Sequence, residues 1–431
     1  MKNILIRNGR IIDPSQGINK IGDILIEKTR IRSLGEAVRP GNDCEVVDAH
    51  GMVVCPGFID LHCHLRQPGY EYKETIASGT AAAARGGFTT LCCMPNTDPP
   101  IDNKTMVSYI RQTAESEGLV RVLPIGCISR SRKGEELVNM IEMVESGVVG
   151  FSDDGSSVGN ARLIYWAMEY SRQLNIPIIE HCEDETLADG GQMNEGIIAT
   201  KLGLQGIPRS AEEVIIARDI ILAGEIGAHV HIAHVSTRGA VELIRSAKKR
   251  GIKVTSEVTP HHLTMTEDWL SGYNTNAKVN PPLRTQDDID ALLEGLNDGT
   301  IDVIATDHAP HAANDKLCEF AVAAAGISGL ETAFGSLMEL VHDNKISFEL
   351  LIEKLTTAPA GIISKNHAGL GTLSTGAIAD LIIVNPEQKW VVDVNQFVSK
   401  GKNSPLNGKT LQGKVLMTIY NGKMVFRSEG I

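Results

Sequence analysis

Short segments of alternating apolar and polar residues open the chain, ILIRNGRIID and GDILIEKTRIRSLG, and are broken by Asn-Gly and Gly positions that suit hairpin turns. The last ~60 residues have the same texture. ADLIIVNPE, KWVV and KVLMTIYNGKMVF alternate again and carry an Asn-Gly turn at Asn421 and Gly422. Between the two ends the pattern changes to apolar runs that alternate with helical periodicity. Eight runs read as strands: VVCPGFIDLH, TTLCCM, VRVLPIGCI, VVGFSDD, IPIIEH, HVHIAH, KVTSEV and DVIATDH. TIASGTAAAARGG, EELVNMIEMVESG, SAEEVIIARDIILAGEIG and RGAVELIRSAKKRG read as helices, each with Gly in the C-cap region. Eight strand–helix units predict a (β/α)8 barrel, with an open doubly wound sheet as the alternative by count alone. The division expected is residues 1–52 and 365–431 forming one small β-sandwich domain from both termini, and residues 53–364 forming the barrel. The termini must then lie close together.

The polar residues at the strand ends give this pattern its chemistry. His62 and His64 end the first strand, Asp153 and Asp154 the fourth, His181 the fifth, His234 the sixth and Asp307 the eighth. Barrel strands point their C-terminal ends at a shared face, so these side chains are expected to converge there. His62 and His64 stand two apart, on one face of a strand, and can grip one metal ion. Taken singly each residue has a plainer reading, a hydrogen-bonded core histidine or an Asp that caps a helix. Five strands ending in metal-ligand types favour a metal centre.

Composition narrows the partners. The net charge is −12 and no Lys/Arg block occurs, which argues against a nucleic-acid backbone as ligand. No stretch approaches the ~20 apolar residues of a membrane span, and the N-terminus has no signal-like apolar region, so a cytoplasmic location is expected. The eight cysteines lack CxxC spacing and read as reduced core thiols; Cys63 and Cys182, beside the proposed ligands, alternate to the opposite face. No GxGxxG or GxxxxGK[ST] follows a strand, which disfavours nucleotide binding.

DLHCHLRQPGYEYKE, MPNT, DDG, EHCED, HIAHVS, SEVTPHHL, KVNPPLR and ATDHAPH together resemble the dihydroorotases of the amidohydrolase superfamily, in particular the bacterial type I enzymes. The HxH pair is common to the superfamily, whereas HLRxPG with MPNT and DHAPH is more specific. The resemblance implies reversible cyclisation of N-carbamoyl-L-aspartate to L-dihydroorotate and water in de novo pyrimidine synthesis. It implies one zinc on His62, His64 and Asp307 and a second on His181 and His234, bridged by a carboxylate and a water or hydroxide, with Asp307 as general acid and base. Many superfamily members bridge with a carboxylated lysine. VVGFSDDG has none, and the nearest, Lys133, lies well upstream, so the bridge is assigned to an aspartate. Strand alternation turns only one of Asp153 and Asp154 inward, and the resemblance selects Asp154. Arg66, two residues beyond His64 and on the same face if the strand persists, has the planar fork that suits a carboxylate. By resemblance His64, Asn96 and His311 also meet the substrate, Asn280 contacts its ring, and Ala325 and Gly326 offer backbone hydrogen bonds. AVAAAGISGLE at 321–331 departs from the APFG-like segment of many type I sequences. The polar loop DHAPHAANDKLCE is expected to be exposed and to close over the substrate. The other readings are a hydantoinase or allantoinase, or a non-catalytic scaffold for aspartate transcarbamoylase. The remaining expectations are a homo-oligomer, a dimer first, and association with aspartate transcarbamoylase in addition to catalysis.

Overall fold

The computed structural model describes residues 2–35, 38, 44–363, 367 and 369–429. Parallel pairing runs from Phe58–Cys63 to Phe88–Cys93 to Arg121–Pro124, and separately from Ile178–Glu180 through Val230–Ile232 and Val254–Val258 to Val303–Ile304. Single parallel bridges join these two sheets: Phe151 pairs with Gly126 and with Ile178, and His308 pairs with Cys63. The circle therefore closes as a (β/α)8 barrel. The fourth strand, expected over VVGFSDD, shrinks to the bridge at Phe151, because the chain turns at once into the Asp154-Gly155 corner.

Asp60 ties the first strand to the last. Its buried carboxylate accepts hydrogen bonds from Thr306 N (2.8 Å) and Thr306 Oγ1 (2.6 Å), the residue before Asp307. Burial pushes this carboxyl up to about 6, against the Thr306 hydrogen bonds that favour its charged form.

The four expected helices form at Ile76–Gly86, Met140–Ser146, Ser210–Ile226 and Arg238–Lys249. Thr75 and Ser78 close the first with a reciprocal capping box, which satisfies N–H groups that the helix leaves open.

Strands from both ends of the chain share one eight-stranded sheet, in which Leu381–Val391 pairs with Val53–Pro56 and the latter pairs with Asn3–Asp13. Ile4, Ile24, Val54, Leu381 and Met417 meet in its apolar filling. The segment VVCPGFIDLH is thus two strands: Val53–Pro56 belongs to the terminal sheet, and the barrel begins at Phe58. Gly57 separates them where a Cβ would fall 2.2 Å from Thr89 Oγ1. Arg121 on the barrel meets Asp380 of the terminal sheet at 2.7 Å and fastens the two units. The expected boundary at 364/365 lies outside the described residues. No helix among the described residues is long and apolar enough to cross a membrane.

Candidate metal centre and substrate cavity

His62, His64 and Asp154 present ligand atoms within 4.8 Å of one another, and so do Asp154, His181 and His234. Asp154 belongs to both groups. Its Oδ1 lies 3.2 Å from His62 Nε2, 4.0 Å from His181 Nδ1 and 3.9 Å from His234 Nε2, and its Oδ2 lies 3.6 Å from His64 Nε2. Asp153 turns away: its carboxylate accepts from Ile128 N, Ser129 N and Ser129 Oγ, and holds the neighbouring loop. Asp307 Oδ1 completes the cluster, 3.0 Å from His64 Nε2 and 3.6 Å from His62 Nε2.

Hydrogen bonds at the far sides of the rings decide where their lone pairs point. His62 Nδ1 donates to Glu257 Oε1 at 2.6 Å, and His64 Nδ1 donates to Asn96 Oδ1 at 2.9 Å. Both Nε2 atoms are then free to act as ligands, and they face carboxylate oxygens. His62 Nε2 is buried without a hydrogen-bond partner, although Asp154 is close by. Two acceptors facing each other in a dry site call for a cation between them. Burial opposes a charge on His62, yet Asp154, Glu257 and Asp307 push its pKa well above the ordinary histidine value. Burial likewise resists charge on Asp154 and Asp307, but the surrounding histidines hold both well below the usual carboxylate range. The donor set of imidazoles and carboxylates, its burial and the orphaned Nε2 all fit a divalent metal.

Backbone strain gathers here. His234 (φ 32°), Asp307 (φ 44°) and Arg66 (φ 61°) sit in the left-handed region, where side chains other than Gly, Asn and Asp are uncommon. For Arg66 this revises the expected route. The strand ends at Cys63, and a left-handed turn, not strand alternation, brings Arg66 to the site.

A cavity of about 230 Å3 is bordered by His64, Arg66, Asn96, Asp154, His181, His234, Asn280, Asp307, His311, Ala325 and Gly326. His62, the remaining sequence-derived candidate, lies behind them and is buried. Arg66 is part-buried, and burial lowers its pKa; its Nε donates to Pro310 O at 3.3 Å, and among the described residues it has no ion-pair partner. Asn280 Oδ1 is buried on the cavity wall with no hydrogen-bond partner. His311 packs against Arg66 Nη2 (3.4 Å) and Ala325 O (2.9 Å). Burial, with the charges of Arg66, Lys73 and Lys316, pushes His311 down to about 2, so its ring is neutral. The Gly326 backbone is engaged, its N–H with Lys278 O and its carbonyl with Asn403 Nδ2. The loop after Asp307 is less exposed than its polarity suggests: Asp307 to His311 are buried, as is Lys316, while Leu317 and Cys318 are exposed.

Residues 51–240 match the model of a family described as Dihydro-orotase-like. The chain is 48% identical over 425 residues to a dihydroorotase of Pelobacter propionicus, covering 99% of this chain and 100% of that protein. It is 49% identical over 427 residues to a dihydroorotase of Syntrophus aciditrophicus, again 99% of this chain and 100% of that one. This chain belongs to the dihydroorotase family. Solved structures agree on the fold. An L-hydantoinase (dihydropyrimidinase) from Arthrobacter aurescens matches with a TM-score of 0.88 at 26% identity, covering 99% of this chain and 96% of that one. A dihydropyrimidinase from Brevibacillus agri gives 0.86 at 22% identity, covering 99% and 95%. The barrel with its attached β-sandwich domain is thus the cyclic amidohydrolase fold, and the chain is a cyclic amidohydrolase.

Glu257 was not legible as a site residue. Its signal in the sequence is an acid in the otherwise apolar and hydroxylic strand KVTSEV, and its partner His62 lies 195 positions away.

Proposed function

We propose that the chain is a dihydroorotase, which interconverts N-carbamoyl-L-aspartate and L-dihydroorotate in pyrimidine synthesis. The observation that carries this is an arginine, without an ion-pair partner among the described residues, facing the same cavity as the paired metal-ligand groups. Both reactants keep one carboxylate throughout, and a guanidinium fork matches it. Hydantoin and allantoin offer no such group, and the exposed Lys133, far from Asp154 in the chain, supplies no bridging carbamate.

His62, His64 and Asp307 would hold one Zn2+, His181 and His234 a second, with Asp154 between them. When bound, the ions supply Lewis acidity that polarises the reacting carbonyl and raises the fraction of ionised water at neutral pH. Arg66 binds the retained carboxylate, joined by the amide hydrogen of Asn96 not committed to Asp154 and by His311 in exchange for its contact with Ala325 O. Asn280 Oδ1 accepts the ring N–H. Asp307 moves the proton. In hydrolysis its carboxylate collects a proton and delivers it to the departing amide nitrogen. In cyclisation the nitrogen of the carbamoyl group bonds to the side-chain carboxyl carbon, a water leaves, and one proton is taken up, so Asp307 must begin protonated. The proton taken up makes cyclisation more favourable as the pH falls, and because its neighbours hold Asp307 low, the protonated fraction that starts this direction rises as well.

We carry the same reading to assembly and location: a homodimer, with association to aspartate transcarbamoylase as a further contact, in the cytoplasm. Cys55, Cys63, Cys92, Cys93, Cys127 and Cys182 are buried thiols outside any disulfide, which fits a reducing compartment. A single assay tests the function: purified protein with dihydroorotate, hydantoin and allantoin, alongside metal analysis and a solution mass. Turnover of dihydroorotate with two zinc ions per chain is expected; activity on hydantoin alone would overturn it.

A further inference from the structure

A line of hydrogen bonds runs through the barrel interior from its floor to His62. His229 Nε2 lies 2.8 Å from Thr255 Oγ1, which lies 2.8 Å from His231 Nδ1. His231 Nε2 lies 3.1 Å from Glu257 Oε2, and Glu257 Oε1 lies 2.6 Å from His62 Nδ1. His231, Glu257 and His62 are fully buried, whereas His229 and Thr255 border a cavity on the far side of the barrel from Asp154. Glu257 Oε1 also lies 3.3 Å from the His234 N–H, so one carboxylate touches a residue from each proposed metal group.

The direction of every bond in this line follows from its chemistry. A carboxylate only accepts, so His62 must donate through Nδ1 and His231 through Nε2. With its proton on Nε2, His231 can accept at Nδ1, and the Thr255 hydroxyl at 2.8 Å is placed to donate there. That hydroxyl accepts in turn from His229 Nε2. One order of donors and acceptors thus fits the whole line from His229 to His62.

We propose that Glu257, His231 and Thr255 are positioning residues, which fix His62 in the Nδ1–H tautomer and aim its Nε2 at the metal site from below. The inference rests on the assignment of His62 as a metal ligand and extends it to residues that touch neither metal nor substrate. A buried carboxylate behind a ligating imidazole raises its basicity and locks its ring, and loss of such a partner weakens metal binding by roughly 10- to 100-fold. Thr255, between His229 and His231, fills the His231 Nδ1 acceptor and so supports this order from below.

The experiment uses zinc competition with a chromophoric chelator and 15N chemical shifts of the histidine rings in the full-length protein. The wild type should show His62 with its proton on Nδ1 and His231 with its proton on Nε2. Glu257→Gln should bind zinc roughly 10- to 100-fold more weakly, since its amide presents a donor to either His62 or His231. Thr255→Val, which keeps the shape but removes the hydroxyl, should release the His231 tautomer and weaken zinc by a smaller factor, and Thr255→Ser should restore both. Wild-type affinity in folded Glu257→Gln, or equal losses in Thr255→Val and Thr255→Ser, would overturn the proposal. If Glu257→Gln does not fold, the wild-type ring shifts decide alone: His231 protonated on Nδ1 would refute the order. Wild-type protein that binds no zinc would instead sink the metal assignment beneath it, and the two failures are told apart by that measurement.

Discussion

Arg66 and Asp154 show how much of the site turns on single backbone decisions. Arg66 reaches the cavity because its φ of 61° turns it out of the strand direction, and the guanidinium stands on the wall without an ion-pair partner among the described residues. Arg66→Ala should raise the KM for carbamoyl aspartate by roughly tenfold to a hundredfold, the loss of hydrogen bonds to a charged group worth about 1.5–3 kcal/mol, with bound metal unchanged. Steady-state kinetics and metal analysis of one preparation check this. The neighbouring aspartates should separate cleanly. Asp154→Ala should lose metal, whereas Asp153→Ala should keep it and lower stability by about 1–3 kcal/mol, because the N–H groups of Ile128 and Ser129 lose a buried acceptor. His262 carries a pH dependence. Buried and donating to Pro281 O, it is pushed down to about 4, mainly by burial. The unfolded chain therefore binds the extra proton first, and stability falls as pH drops from about 6.5 towards 4, by up to about 3 kcal/mol from this ring. Denaturant melts between pH 7 and pH 4 should show a slope that is shallower in His262→Gln.

At the level of elements, the stretch from Asp307 to Gly326 is held more firmly than a free loop. Lys316 Nζ donates to Thr275 O (3.0 Å) and Ala324 O (2.6 Å), and Lys278 Nζ to Phe320 O (2.8 Å) and Gln192 Oε1 (2.6 Å). Burial and the nearby Lys278 push Lys316 down to about 7, so this clasp sits close to neutrality at physiological pH. Leu317 and Cys318 remain exposed between the clasps. If the stretch closes over the substrate, limited proteolysis at Leu317 should slow on addition of dihydroorotate; an unchanged cleavage rate would remove closure from the account. The fourth strand teaches a related lesson. Its apolar run reads as a full strand, yet the turn at Gly155 (φ 79°) leaves a single bridging residue, Phe151, and frees Asp154 to face the cavity.

Over the whole molecule, two units built on different principles share a border at Gly57. The barrel is built by local strand–helix steps and closed by one long-range join, Cys63 with His308, while the terminal sheet pairs strands more than 300 residues apart, as Val54 with Ile383. A Cβ at Gly57 would strike Thr89 on the adjacent barrel strand. Gly57→Ala should therefore lower stability by about 1–3 kcal/mol or more, read as an earlier thermal transition, with metal content of the surviving folded fraction unchanged.

Periodicity sufficed for the strand–helix alternation and for a β-domain drawn from both ends, while closure into a barrel, on which the convergence of His62, His64, His181, His234 and Asp307 on one face depends, rests on the bridges at Phe151 and His308. Motif resemblance added Arg66, Asn96, Asn280 and His311 to that face. Other features were settled only by packing across the chain. Whether Asp153 or Asp154 turns inward depends on which N–H groups the loop at Ile128 and Ser129 leaves open. Where VVCPGFIDLH divides depends on which neighbours each half pairs with, and alternation looks alike in both. Glu257 enters the site through a bond to His62, a relation between distant positions that no local pattern records. Residue type and spacing thus determined which chemistry the strand ends carry. The tertiary structure decided which atoms face each other, since lone-pair direction is set by hydrogen bonds between segments that only folding brings together.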